Sequence, residues 1–197
     1  PDGSSRSSPI QVGSDTNWAY ITQGVNFGFA VKTDGTLWSW GRNDYGQLGL
    51  NTAMVSKSSP TQVGALTNWS AIEATNDASG FCVAIKTDGT LWAWGRNNGG
   101  QLGLGPTYIT RSSPVQVGAL TTWEKPVRPT RASSGAVKTD GTLWVWGFNV
   151  NGKLGQNNNL SYNSPVQVGS DAWSDVSTAD NVYYGVKTDG TLWSWGN

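Results

Sequence analysis

Few residues in this chain could carry bond-making chemistry. Histidine is absent, and with it the Ser-His-Asp and Cys-His arrangements and the commonest zinc ligand. The single cysteine, Cys82, lies in the apolar run Phe81-Cys82-Val83-Ala84-Ile85 and reads as a buried small hydrophobe, not an activated thiol. Alone, it also excludes an intrachain disulfide framework. The two glutamates, Glu73 and Glu124, stand in unlike surroundings, so no paired-carboxylate hydrolytic site is expected. The segment GQLGLG from Gly100 to Gly105 echoes a phosphate-cradling loop. No Gly-Lys-Ser/Thr and no helical pattern follow it, and weaker copies begin at Gly46 and Gly152, so it reads as a structural link. The Lys-x-Asp pairs (Lys32/Asp34 and three copies) would imply four equivalent active sites; they read as solvated turn residues. No catalytic residue, no metal ligand set and no cofactor is expected.

The remaining candidates are suited to contact. Thirteen Lys+Arg balance thirteen Asp+Glu, so the chain lacks the global positive field that nucleic acid or an anionic membrane would meet. No run approaches the ~20 apolar residues of a membrane-spanning helix. Against that neutral background, Lys125, Arg128 and Arg131 fall together in WEKPVRPTR (123–131), a candidate patch for an acidic partner. Tyr45, Tyr108, Phe148 and Tyr162 stand in polar, glycine-rich links, and tyrosine and arginine are common interface anchors. Asn68-Trp-Ser70 and Asn159-Leu-Ser161 are formal glycosylation sequons, the first at a tryptophan expected to be buried.

The elements that hold these residues come from an internal repeat. KTDGTLW begins at Lys32, Lys86, Lys138 and Lys187; QVG begins at Gln11, Gln62, Gln116 and Gln167; a lone tryptophan recurs at Trp18, Trp69, Trp123 and Trp173. The other eight tryptophans are the pairs Trp38/Trp40, Trp92/Trp94, Trp144/Trp146 and Trp193/Trp195. Approximate units are 9–58, 59–112, 113–163 and 164–197, read as one domain, 1–197. Asp-Gly between short apolar strands predicts a two-residue type I′ hairpin with its flanking threonines opposed. In Trp-x-Trp the indoles share one face of a strand, and the small residue between them (Ser39, Ala93, Val145, Ser194) leaves room for another sheet. A strand after the lone tryptophan and one opening with Pro-x-Gln-Val, on an outer edge, bring the total to four. Four short strands per unit of about 50 residues predict an all-β, β-propeller architecture with the paired tryptophans as core between blades.

The stretch from Gly24 to Leu50 and its copies resemble the regulator of chromosome condensation repeat. The shared features are the Asp-Gly turn, the aromatic-x-Trp-Gly strand and an Asn-x-x-Gly-Gln-Leu-Gly link. That link stands here at Asn43–Gly49 and Asn97–Gly103, and at Asn149–Gly155 with Lys153 in place of glutamine. The resemblance implies blades that close typically at seven. Four are present, as an arc of a larger propeller or, if Ile10–Val12 completes the last blade, as a small closed ring; the arc is the preferred reading. A histidine common in the family is missing here. The chain opens at Pro1 in mid-pattern without a leader-like segment, and is expected to be a processed or excised piece of something longer.

These features predict a non-enzymatic interaction or structural scaffold. The Ser/Asn/Gly-rich surface and near-identical units look closest to the phage and bacterial branch of the family. That implies a virion decoration or fibre, or a bacterial surface component, in a virion or extracellular setting. Its partner is a protein, another copy or further blades. Two other activities are implied by the resemblance: nucleotide exchange on a small GTPase, onto which no residue here maps, and β-lactamase inhibition through loops of one face.

Overall fold

The computed structural model describes residues 7–197; the opening PDGSSR, read above as loop, lies outside them. The described residues are all-β, with fourteen strands in blades. Blade one holds β1 (Trp18–Gln23), β2 (Phe27–Lys32), β3 (Leu37–Gly41) and β4 (Lys57–Gln62), paired in that order and antiparallel. Blade two repeats this with β5 (Trp69–Ala74), β6 (Phe81–Lys86), β7 (Leu91–Gly95) and β8 (Arg111–Gln116). Blade three has β9 (Trp123–Thr130), β10 (Ser133–Lys138) and β11 (Thr142–Gly147). The long β12 (Tyr162–Ala179) gives its first half to blade three and its second half to blade four, where β13 (Val182–Lys187) and β14 (Leu192–Gly196) follow.

Each hairpin turn departs from the type I′ expectation. Gly35 N donates to Lys32 O at 2.9 Å and Lys32 N to Thr36 O at 3.0 Å. Only Gly35 has a positive φ, 76°. The loop is therefore three residues long, Thr33–Gly35, with the glycine alone left-handed. The Asp34 carboxylate accepts from both Thr36 N and Thr36 Oγ1, which holds it below the usual carboxylate range. Because Thr33 is inside the turn, Val31 faces Leu37 and the threonines do not oppose one another. The outer prolines also differ from expectation: Pro60 and Pro114 are the fourth residues of β4 and β8, each between paired positions where the register slips.

Alternation along each strand builds the core. In blade two, Ile72, Ala74, Cys82, Ala84, Trp92 and Trp94 face blade one and meet Phe29, Val31, Leu37 and Leu48. The opposite face, Phe81, Val83, Ile85, Leu91 and Ala93, receives Trp123, Trp144 and Trp146 of blade three. The next junction repeats the scheme with Val145, Leu154, Trp173 and Trp195. The small central residues Ser39, Ala93 and Val145 are fully buried under the following blade. Cys82 is buried as expected, and burial pushes its thiol pKa well up.

The paired tryptophans are not a uniform core. Trp94 and Trp146 are fully buried, and their Nε1 atoms donate to Gln47 O at 3.0 Å and Gln101 O at 2.9 Å in the preceding blade. Trp38, Trp92 and Trp144 are only half-buried at the blade edge. Trp193 is 49% exposed and Trp40 half-buried, which corrects the expectation that all eight are sealed. The cause is position in the array. Among the described residues no blade covers the tryptophan face of blade one, and no outer strand flanks β14 beside Trp193 as β8 flanks Trp92. The far face of blade four is open as well, with Leu192 75% exposed. Ile10–Val12 lies outside any strand, β14 pairs only with β13, and no described strand joins blade one to blade four. The arrangement is an open arc.

Candidate functional site

Differences between units collect on two adjoining surfaces: the inner wall formed by β1, β5, β9 and the second half of β12, and the loop face where each inner strand turns back. On the inner wall the two basic residues of β9 are spent within the molecule. Lys125 pairs with Asp175 of blade four, and Arg128 reaches past β5 to donate to Gln23 O of blade one at 2.9 Å. Thr178 Oγ1 of blade four donates to Arg128 O at 2.7 Å. Glu73 on β5 accepts from Tyr20 Oη at 2.7 Å and Thr22 Oγ1 at 3.1 Å. Burial and that carboxylate drive the Tyr20 pKa upward, so the hydroxyl remains a donor. The inner strands of all four blades are thus laced by polar contacts.

Arg131 stands at the β9–β10 turn on the loop face. Its backbone N donates to Asp77 Oδ2 of blade two at 2.6 Å, and its guanidinium lies 3.2 Å from Asp180 Oδ2 of blade four. Burial opposes charge on Asp77, but donation from Thr75, Ser79 and the Arg131 amide outweighs it and lowers the pKa. Arg131 and Ala132 have φ of 38° and 59°, a left-handed pair without glycine, held by neighbours on both sides. A cavity of about 500 Å3 opens here, lined by Asp77, Arg96, Arg131, Phe148, Lys153 and Asp180 among others.

Lys153 is the chemically unusual member. Its counterparts Gln47 and Gln101 accept locally from the amides of Tyr45 and Gly99. Lys153 instead crosses to Arg131 O at 2.7 Å and is fully buried. Burial lowers its pKa to about 8, partly opposed by Asp77 and Asp180. The folded value lies below the ordinary lysine value of ~10.4, so the folded state carries a penalty for the charged form. That penalty is complete below about pH 8 and fades as pH rises towards ~10.4, where both states lose the proton. Lys153→Gln should therefore stabilise the protein by about 1–2 kcal/mol at pH 7, the gain shrinking towards zero near pH 10. Paired urea titrations of the two proteins at pH 7 and 10 check this.

The aromatic candidates separate. Phe148 is exposed at the cavity rim beside Arg131. Tyr45 is half-buried with the Arg96 guanidinium 4.8 Å from its ring centroid. Tyr108 is exposed on the perimeter link, away from the loop-face cavity. Tyr162 packs against the core of blades three and four and its Oη accepts from Asn158 Nδ2 at 3.0 Å. Arg131, Phe148 and Tyr45 therefore share the loop face, whereas Lys125 and Arg128 belong to the inner wall. Sequence reasoning missed Asp77, Asp180 and Glu73, whose roles come from contacts about 50 residues away. The Gln-to-Lys change at 153 was the one visible signal.

The Lys-x-Asp lysines also differ from expectation. Lys32, Lys86 and Lys138 are buried, and all four ammonium groups lie against two indoles of their own blade. Only the aspartates of these pairs are the solvated turn residues expected. Among the described residues no group of three or more His, Cys, Asp or Glu is placed to hold a metal, and no helix is long and apolar enough to cross a membrane.

Comparison with known proteins matches residues 34–82, 88–136 and 140–182 to the model of the regulator of chromosome condensation (RCC1) repeat, and residues 18–47 to a second model of the same description. The chain belongs to this repeat family. A human relative, probable E3 ubiquitin-protein ligase HERC6, is 29% identical over 166 residues, covering 82% of this chain and 16% of that protein. The human RCC1-like G exchanging factor-like protein is also 29% identical, over 76% of this chain and 34% of its own length. The chain thus spans a minor part of these relatives. Among solved structures, Prp20p of Saccharomyces cerevisiae superposes with TM-score 0.83 at 18% identity, over 96% of this chain and 48% of Prp20p. Human WBSCR16 gives 0.79 at 18% identity, over 93% and 48%. These likenesses show the propeller fold.

Proposed function

We propose that this chain acts without catalysis, as a scaffold whose loop face binds a protein partner through Arg131, Phe148 and Tyr45. The observation that carries this reading is the cavity of about 500 Å3 where blades two, three and four meet, built from positions at which the repeats diverge. The shared positions are consumed by the core. Asp77 and Asp180 fix Arg131 from both sides, so the guanidinium and the Phe148 ring are offered in a set geometry at little entropic cost.

A virion decoration or fibre, or a bacterial surface component, would be one setting for such a scaffold. The relatives and structures reported above are human and yeast proteins and lend that setting no support, so the proposal extends only to the interaction. Nucleotide exchange on a small GTPase is the second reading, favoured by the resemblance to the human RCC1-like G exchanging factor-like protein and by the binding properties of Prp20p towards Gsp1p and histones. β-Lactamase inhibition is tested by titrating β-lactamase activity against the pure chain. Photo-crosslinking from position 148 in extract of the source organism should yield one dominant adduct, lost on Arg131→Glu, while position 108 yields none. Equal crosslinking from both positions contradicts the assignment to the loop face. Accelerated release of labelled GDP from a small GTPase would replace it with the exchange reading.

A further inference from the structure

The two ends of the arc are complementary halves of one junction. Within the chain an outer strand passes into the next blade three times, with a recurring set of bonds. Where blade one meets blade two, Val63 N donates to Leu37 O at 2.8 Å and Trp69 N to Gly35 O at 3.1 Å. Val117 N to Leu91 O at 2.8 Å and Trp123 N to Gly89 O at 3.1 Å repeat this at the second junction. At the third, Trp173 N donates to Gly141 O at 2.8 Å. Each time Pro-x-Gln-Val lies across from Trp-x-Trp: Gln62 faces Trp38, Gln116 faces Trp92 and Gln167 faces Trp144.

Each end of the arc holds one half of this set, unused among the described residues. In blade four, β14 pairs only with β13. A Cβ at Gly35 or Gly89 would strike Thr67 O or Thr121 O of the incoming segment, whereas at Gly190 nothing lies within 4 Å. At the other end Pro9-Ile10-Gln11-Val12 is a fourth Pro-x-Gln-Val segment, and it joins no strand. It is already in position. It lines a cavity of about 420 Å3 with Trp18 and Trp38, as Val115-Gln116-Val117 of β8 does with Trp123 and Trp144. The apolar faces match too. Leu37, Leu91 and Leu143 are fully buried at the junctions, but their counterpart Leu192 is exposed. Ile72 and Val176 are buried against the preceding blade, but Ile21 in the same place is 73% exposed. Tyr184 stands where Phe29 stands in blade one, and Trp40 where Trp94 receives that ring.

We propose that a second copy of this chain docks head to tail onto the first. Pro9–Val12 of one copy becomes the outer strand of the other's blade four, and its blade one stacks on that blade. Val12 N then donates to Leu192 O and Trp18 N to Gly190 O, while Trp40 closes on Tyr184. Strand addition supplies the backbone bonds and the stacked faces supply apolar burial. Each copy offers one of each surface, so a pair satisfies both and closes as a ring of two four-bladed arcs. The pairing is reversible, with a dissociation constant of roughly 10 μM. Trp40 therefore still exchanges its indole proton through the separated copies, far faster than Trp94. No loop-face residue takes part, so the pairing stands apart from the partner binding proposed above.

Light scattering on the pure chain should approach twice the single-chain mass at about 100 μM and fall to the single-chain mass near 1 μM. Val12→Pro, which removes the donor, and Leu192→Arg should each weaken the association about tenfold or more while keeping the β circular-dichroism spectrum. Leu66→Arg, at an exposed position between blades one and two, is the control and should leave it unchanged. The register is read by mixing Ile10→Cys with Ser194→Cys, since the pairs Ser39/Thr61 and Ala93/Val115 place these positions opposite one another. Oxidation should give a covalent pair in the mixture and in neither variant alone. A single-chain mass at the higher concentration would overturn the proposal, leaving the two ends to a different protein or segment. So would association indifferent to both Val12→Pro and Leu192→Arg, or covalent pairs formed equally by either cysteine variant alone. Growth beyond two copies would overturn the closed ring.

Discussion

Trp94→Ala should destabilise the protein by roughly 3–5 kcal/mol, lowering the melting temperature by about 10 °C. Three losses coincide at this side chain. The indole is fully buried between blades one and two, it meets Phe29 and Trp69 edge-on at centroid distances of 5.8 Å each, and its Nε1 satisfies Gln47 O. Truncation leaves a cavity that neighbouring strands cannot close, because both sheets are already fixed by their own ladders. Trp193→Ala is the informative contrast. Its ring is about half exposed and touches chiefly Lys187, so the loss should stay below about 1 kcal/mol. Calorimetry of both variants against the parent distinguishes them. Because the hydrophobic cores join only neighbouring blades, Trp94→Ala should also broaden the transition, with blade one separating earlier than the rest.

Gly95→Ala should cost a comparable amount, roughly 3 kcal/mol or more, although it adds one methyl group. Gly95 closes β7 at φ 100°, a conformation that L side chains rarely adopt. An added Cβ would stand 2.4 Å from Gly80 O, just before the paired strand, and 2.6 Å from Phe81 Cα, its first residue, so relief requires breaking the ladder. The same glycine ends the Trp-x-Trp strand in the other blades, and Gly41 and Gly147 meet backbone carbonyls at 2.3 Å. Gly118→Ala is the control: φ is 64°, nothing lies within 4 Å, and the expected cost is about 1 kcal/mol from conformation alone. Chemical denaturation of the two variants should therefore differ by about 2 kcal/mol or more.

Much of this architecture was legible in the residues because the repeat states its rules four times. The i, i+2 spacing of Trp92 and Trp94 put both indoles on one face, and the small residue between them announced the close approach that Ala93 makes to blade three. Legibility failed where a position depends on its place in the array. Trp193 and Trp40 have the same local sequence as Trp92 and Trp94, but no described blade covers Trp40 and no described outer strand flanks Trp193. It failed again in the turn. Asp-Gly was read as two left-handed residues, whereas Asp34 stays in the ordinary region and caps Thr36, leaving the inversion to Gly35. The lysines of KTDGTLW look solvated in a linear reading, because nothing local reveals that the lone tryptophan folds back over them from about 15 residues upstream.

The candidate sites were only partly readable. The three basic residues of unit three do lie along one strand and its turn, as their spacing suggested. Their partners come from three other blades, which no spacing rule could supply: Gln23 from the first, Asp77 from the second, Asp175 and Asp180 from the fourth. Lys153 was visible as a departure from the Gln-Leu-Gly link, but its consequence depends on burial and on the reach to Arg131 O.

The central physical statement is that each blade seals its successor's second tryptophan and that the arc leaves the first such ring uncovered. Solvent exchange of the indole N–H protons, followed residue by residue by NMR, tests it most directly. Trp94 and Trp146 should be protected to the level of global unfolding, with Trp40 and Trp193 exchanging orders of magnitude faster. Equal protection of Trp40 and Trp94 would show the first blade to be covered, and rapid exchange at Trp94 and Trp146 would show that the blades do not stack as described.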